Sequence, residues 1–149
     1  DAASVVPAQR AGRIAMNAGV NNGDWCPIVP ASMQAQADEN IYVLGDASIA
    51  KSMPKSGFSA NSQAKVAANH IRGSLTGSKV FTPRFANTCW SLVATNDGIK
   101  VGASYKATAE KIDKTSGFIS KKGEDSGLRK ATYEESIGWY DGITSDMFS

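Results

Sequence analysis

Apolar positions follow helical spacing in three stretches of the chain and strand-like runs in three others. Pro7 suits a first helical turn. Ala8, Ala11, Ile14, Ala15 and Ala18 then make a weak apolar face, which predicts a helix over 7–18 that Gly19 ends. Asn21-Asn22-Gly23-Asp24 is a turn by composition. The prolines of Trp25-Cys26-Pro27-Ile28-Val29-Pro30 exclude helix and predict an ordered, extended loop. Ile41-Tyr42-Val43-Leu44, bounded by Asn40 and Gly45-Asp46, reads as a buried strand. Ala60, Ala64, Ala67, Ala68 and Ile71 predict a helix over 59–72, capped by Ser56 or Ser59 and stopped by Gly73 and Gly77.

Residues 81–85 read as a proline-bearing connector. Two strands are predicted over 88–94 and 99–105, with Asp97-Gly98 as the hairpin signal between them. Residues 106–130 are polar and glycine-bearing, with Phe118 and Ile119 as the clear apolar pair, and read as a hairpin extension or a mobile loop. A last helix is predicted over 133–148, with Thr132 as N-cap and Glu134 and Glu135 in its first turn. Ile137, Tyr140, Ile143 and Met147 share one of its faces.

Composition narrows the class. A chain of 149 residues suits one domain or one domain with an appendage. A formal charge of +2, with no clustering of Lys and Arg, does not suit a phosphate-tracking surface, so no nucleic-acid partner is expected. No run approaches the roughly 18 apolar residues that cross a bilayer, and no signal-peptide pattern opens the chain at Asp1-Ala2-Ala3. Cys26, Cys89 and the single His70 offer too few ligands for zinc, so no metal site is expected. A disulfide between the cysteines does not follow from two residues alone.

The chemistry concentrates in residues 41–72. A strand ending in Gly-Asp is a recurrent dinucleotide device: glycine lets the backbone approach the ligand, and the carboxylate accepts from a sugar hydroxyl. Met53-Pro54-Lys55-Ser56-Gly57 then leads into an alanine-rich helix. The unsatisfied N–H groups and partial positive charge of its N-terminus suit an electron-rich ring edge such as the flavin pyrimidine carbonyls. Lys55 would reinforce that field or stand as a solvated loop lysine. Cys26 alone reads as either a small buried hydrophobe or a nucleophile. Cys89, beside Trp90, reads as core, Trp25 as packed over Cys26 or on the surface, and His70 as a late-helix residue meeting the dipole.

The stretches Leu44-Gly45-Asp46-Ala47-Ser48-Ile49-Ala50 and Met53-Pro54-Lys55-Ser56-Gly57-Phe58-Ser59-Ala60-Asn61-Ser62-Gln63-Ala64-Lys65-Val66-Ala67-Ala68 closely resemble the flavoprotein subunit of flavocytochrome c sulfide dehydrogenase. So do Pro7-Ala8-Gln9-Arg10-Ala11-Gly12, Gly23-Asp24-Trp25-Cys26-Pro27, Asn87-Thr88-Cys89-Trp90-Ser91 and the Trp139-Tyr140 stretch. The resemblance runs over nearly the whole chain and is weakest over 106–130.

That resemblance implies an α+β chain. Residues 1–78 would be the end of the FAD-binding region of a glutathione-reductase-like flavoenzyme, with its Cys loop, Gly-Asp turn and capping helix. Residues 79–149 would be the C-terminal interface domain, a β-hairpin or small sheet packed with helices. It implies a periplasmic enzyme that oxidises sulfide, passes electrons to FAD and then to the c-type haem of a cytochrome subunit. Cys26 matches one member of a redox-active disulfide, its partner lying in an upstream part of the polypeptide. Gly45 and Asp46 match the FAD-binding pair, and Lys55, Ser56, Gly57, Phe58, Ser59 and Ala60 the loop and helix start at the pyrimidine end. Trp139 matches an aromatic residue near flavin and active site. No G-x-G-x-x-G follows a strand here. The chain is therefore expected to be about the last third of such a subunit, inactive by itself, weak or lacking in FAD binding, and prone to self-association through surfaces the missing part would cover. Two rivals stand beside this reading: a non-catalytic assembly or dimerisation module, and a sulfide:quinone reductase-like flavoprotein. The acidic terminal helix, with Asp141 and Asp146, argues against the membrane-bound second.

Overall fold

A computed structural model describes residues 2–148. The chain is α+β. Helix α1 (Arg13–Asn17) precedes a two-stranded antiparallel ribbon, β1 (Gln34–Ala35) and β2 (Asp38–Tyr42). A 3-10 turn at Gly45–Ala47 leads to the long helix α2 (Gly57–Thr76). Strands β3 (Arg84–Ala94), β4 (Asp97–Ala107) and β5 (Ile112–Ile119) form an antiparallel meander, and helix α3 (Ser126–Phe148) follows. No helix among the described residues is long and apolar enough to cross a membrane.

Two apolar clusters hold these elements together. The larger gathers Met33, Met53, Val66, Phe85, Tyr105 and Ile112, among others, so α2 is buried against the meander. The smaller contains Cys26 with Ala11, Ala15, Val20 and Ala35. Val43 packs against both, which places the chain entering the Gly45 turn at the seam between them.

Several expectations change. The first helix spans only Arg13–Asn17, because the Ala11 N–H donates to the Asp24 carbonyl at 2.7 Å and holds the preceding segment extended. The predicted buried strand begins earlier, at Asp38, and ends at Tyr42; Ile41, Tyr42 and Val43 are half-buried and Leu44 is exposed. Gly73 does not stop α2. The helix runs on to Thr76 and ends at Gly77, whose φ of 68° is the left-handed cap. Gly73 instead admits the returning chain, since a Cβ there would lie 2.3 Å from Val80 Cγ2. His70 therefore sits more than a turn inside the helix, where its Nδ1 shares a 2.8 Å hydrogen bond with the Tyr42 hydroxyl.

The hairpin turns at Thr95-Asn96, with Asn96 at φ 59°, while Asp97 and Gly98 already pair with Ala94 and Leu92. Within 106–130 the hairpin extension is observed as β5, Ile112–Ile119, and residues from Ser126 on belong to the last helix; Ile112, overlooked as an apolar position, is fully buried in the main core. The last helix starts at Ser126, with the Asp125 carboxylate accepting from Leu128 N–H at 3.0 Å. Thr132 is a buried interior residue of that helix and not its cap. Of the apolar face, Ile137, Tyr140 and Met147 are exposed and Ile143 is half-buried.

Helix α3 docks where Gly98 leaves room. A Cβ at Gly98 would lie 2.8 Å from Tyr133 N and 3.0 Å from its Cα. Backbone cannot swing aside as a side-chain tip can, so Gly98→Ala is expected to cost about 1–3 kcal/mol. Denaturant unfolding of the variant checks this; unchanged stability would show that α3 docks loosely.

Candidate functional site

The Gly45-Asp46 turn rests on α2. Gly45 has φ 65°, a left-handed conformation that suits glycine. A Cβ on it would come within 3.3 Å of the Ala60 methyl, so two small residues let turn and helix meet. The Gly45 N–H donates to Gln63 Oε1 at 2.7 Å, and the Gly45 carbonyl accepts from Ser48 Oγ at 2.8 Å. Gln63 is buried and its Nε2 reaches Met53 Sδ at 3.8 Å. The neighbouring Asp46 is exposed. Lys55 Nζ donates to the Asp46 carbonyl and, at 3.1 Å, to that of Ser48. The same ammonium lies 3.7 Å from the centroid of the Trp25 ring. Trp25, Ser48, Met53, Lys55 and Gln63 border a cleft of about 180 Å³.

Helix α2 begins beside this turn and is fastened to β3. Ser56 caps it by accepting from Ser59 N–H at 3.1 Å. The hydroxyls of Ser56 and Ser59 both donate to Asn87 Oδ1, the second at 3.1 Å, and both Ser59 and Asn87 are buried. Ser62 Oγ accepts from the Ala86 N–H at 3.0 Å.

Past the helix start lies an aromatic group. Phe58 stacks on Trp139 at 5.6 Å between ring centroids, and Trp90 lies 5.8 Å from Phe58 and 5.6 Å from Trp139. Gly57 lies under that stack, and a Cβ there would meet the Trp139 ring at an ordinary contact distance of 3.8 Å. The Trp90 indole N–H is buried without a hydrogen-bond partner among the described residues.

The expected site residues thus fall into two adjoining groups. Gly45, Asp46 and Lys55 form the turn. Gly57, Phe58 and Trp139 form the aromatic wall. Ser56, Ser59 and Ala60 join them. Gln63, Asn87, Trp90 and Trp25 were missed as site residues. The readable signal for Gln63 is a polar side chain on a helix face otherwise made of Ser59, Val66 and Ala67. Asn87 alternates with inward-facing Phe85, a polar residue at a core position.

The two thiols are placed the opposite way from expectation in one respect. Cys89 was read as core but is exposed. It shares the inward side of β3 with Phe85 and Asn87 yet lies farther along the strand, where burial gives out. Its Sγ accepts from Asn87 Nδ2 at 3.5 Å. Cys26 is fully buried beside Ala11 and Ala35 and is tied by backbone to the turn: its N–H donates to the Ala47 carbonyl at 2.9 Å, and its carbonyl accepts from Ile49 N–H at 2.8 Å. Burial raises the Cys26 pKa, with Lys55 pulling against that rise. Both cysteines are free. Among the described residues no group of three or more His, Cys, Asp and Glu side chains gathers to hold a metal.

The fit to a flavin can be judged on these residues. The Asp46 carboxylate is open to solvent for a sugar hydroxyl, the N-terminus of α2 is the positive end of a 20-residue helix, and the Phe58–Trp139 stack offers a flat apolar surface. The residues present suit the sugar and ring end of such a cofactor.

Residues 81–148 match the family described as flavocytochrome c sulphide dehydrogenase, flavin-binding. The matched segment contains β3, β4, β5 and α3, and with them Asn87, Cys89, Trp90 and Trp139.

Thiol accessibility checks the geometry. Iodoacetamide on the native chain is expected to alkylate Cys89 at least tenfold faster than Cys26, read by peptide mass spectrometry; equal rates would contradict the burial of Cys26. The raised Cys26 pKa also carries a sign: the folded state holds that proton more tightly. Its contribution to stability is complete below the ordinary thiol range and is lost as pH rises through and above it. Cys26→Ala is expected to flatten the alkaline fall in unfolding free energy.

Proposed function

We propose, from the match of residues 81–148 to the family described as flavocytochrome c sulphide dehydrogenase, flavin-binding, that the chain supplies the ring-end half of an FAD site in a sulfide-oxidising flavoenzyme. The observation that carries this reading is the Gly45-Asp46 turn, with Asp46 exposed, seated on the start of α2, whose Ser56 and Phe58 meet the family-matched Asn87 and Trp139. Residues 1–78 then complete the FAD-binding region of a glutathione-reductase-like fold, and residues 79–149 form its interface domain. FAD, when bound, supplies a two-electron acceptor.

The chain's own residues do the following. The Asp46 carboxylate accepts from a sugar hydroxyl of the cofactor. The α2 N-terminus stabilises negative charge at the ring edge. Phe58 and Trp139 exclude water from one side. A thiol of this chain, in a disulfide with a cysteine upstream, meets the substrate. Hydrosulfide attack makes a new S–S bond to one sulfur and releases the other as thiolate. Electrons leave to a c-type cytochrome subunit in the periplasm. The isolated chain, which presents only this half, is inactive.

The family resemblance implies Cys26 as the redox cysteine. A specific observation favours Cys89 instead. Cys26 has no exposed surface and a raised pKa, whereas Cys89 is exposed, hydrogen-bonded to the residue that fastens α2, and inside the family-matched segment. We therefore assign sulfide attack to a disulfide containing Cys89 and a packing role to Cys26.

The experiment uses the complete flavoprotein. Cys89→Ser is expected to abolish the sulfide-dependent loss of flavin absorbance, and Cys26→Ser to leave it largely intact. The reverse pattern would return the role to Cys26, and no effect of either would end the disulfide reading. Asp46→Ala is expected to weaken FAD binding roughly tenfold, about 1.4 kcal/mol; full flavin retention by that variant would refute the assigned role of the turn.

A further inference from the structure

The ammonium of Lys55, an exposed residue, meets three groups of the fold. It donates to the backbone carbonyls of Asp46 and Ser48 and lies 3.7 Å from the centroid of the Trp25 ring. These contacts come from three separate pieces of chain. Asp46 and Ser48 belong to the turn, Trp25 to the extended Cys loop, and Lys55 to the segment that leads into Ser56, the cap of α2. A lysine that served only as a solvated loop residue would have no reason to fold its ammonium back onto two carbonyls and a ring. One that reinforced the field at the ligand would direct its charge outward.

We propose that Lys55 is a positioning residue: its ammonium locks the Gly45-Asp46 turn to the face of Trp25, so that the Asp46 carboxylate points to the ligand and the charge of Lys55 does not. This rests on the flavin reading above and deepens it. The chemistry suits lysine in particular. A compact ammonium has three donors, enough for two carbonyls and one aromatic face. The planar guanidinium of arginine satisfies the ring and the carbonyls less well from one point.

Gln63 holds the same turn from the other side, taking the Gly45 N–H at 2.7 Å. The turn is therefore held at its amide by a neutral buried side chain and at its carbonyls by a cation. With the Gly45 N–H already taken, the exposed carboxylate of Asp46 remains open to a ligand. Burial pulls the Lys55 pKa down while Asp46 and Cys26 hold it up.

The test has two arms. In the first, the chain carries Lys55→Met, with Lys55→Gln as a second variant that keeps a donor and loses the charge. Removing the ammonium from the Trp25 ring is expected to change tryptophan emission, and that change is expected to vanish in a Trp25→Phe background. An unchanged spectrum in both variants overturns the lock. In the second, FAD affinity of the complete flavoprotein is expected to fall about tenfold for Lys55→Met and to be partly restored by Lys55→Arg. An emission change without any loss of FAD affinity overturns the positioning role. A wild-type flavoprotein that holds no flavin defeats the function proposed above, while the emission arm still decides whether the lock exists.

Discussion

The side-chain oxygen of Asn87 accepts hydrogen bonds from Ser56 and Ser59 in a place buried from water. A buried amide oxygen left without donors would cost roughly 1–3 kcal/mol, so strand and helix are held in one relative position. Ser56 is at once the cap of α2 and a partner of β3, so the same bonds set where the helix begins and where it lies. From that start the helix carries Ala60 to the back of Gly45, Gln63 to its amide, and Phe58 to the ring of Trp139. Displacing the first turn of α2 would undo all three.

Small residues serve this arrangement by permitting close approach. Gly45 and Ala60 let turn and helix touch, and Gly98 admits the backbone of α3. Close packing gains dispersion contacts across each interface. It also means that the aromatic wall depends on two independent dockings, that of α2 on β3 and that of α3 on the hairpin. Trp90 and Trp139 reach the same spot from different elements only because both hold.

The apolar surface is unevenly covered. Cys26 and Met33 are fully enclosed, while Leu44, Phe118, Ile119, Tyr140 and Phe148 stay exposed. The exposed group lies at the end of the β2 segment, on β5 and on α3, and suits surfaces that a larger assembly would cover. An assembly role is thus compatible with the enzymatic one.

The existence of α2, of the hairpin and of the terminal helix was legible in the sequence, because periodic apolar positions and turn residues act locally. The Gly45-Asp46 turn and Ser56 cap were legible for the same reason. Boundaries were not. Gly73 reads as a stop but serves as a contact point for Val80, and Asp97-Gly98 reads as a turn but belongs to a strand, because packing, of the returning chain on Gly73 and of α3 on Gly98, overrides local preference. Burial of the thiols was also undecidable from neighbours. Cys26 sits just before two prolines that imply a loop yet is wholly enclosed, and Cys89 sits in an apolar strand yet is open. Local sequence determined which segments are helix, strand and turn. Only the tertiary structure decided which side chains of those segments meet, since Gln63, Asn87 and Lys55 find their partners across the fold, where no spacing rule reaches.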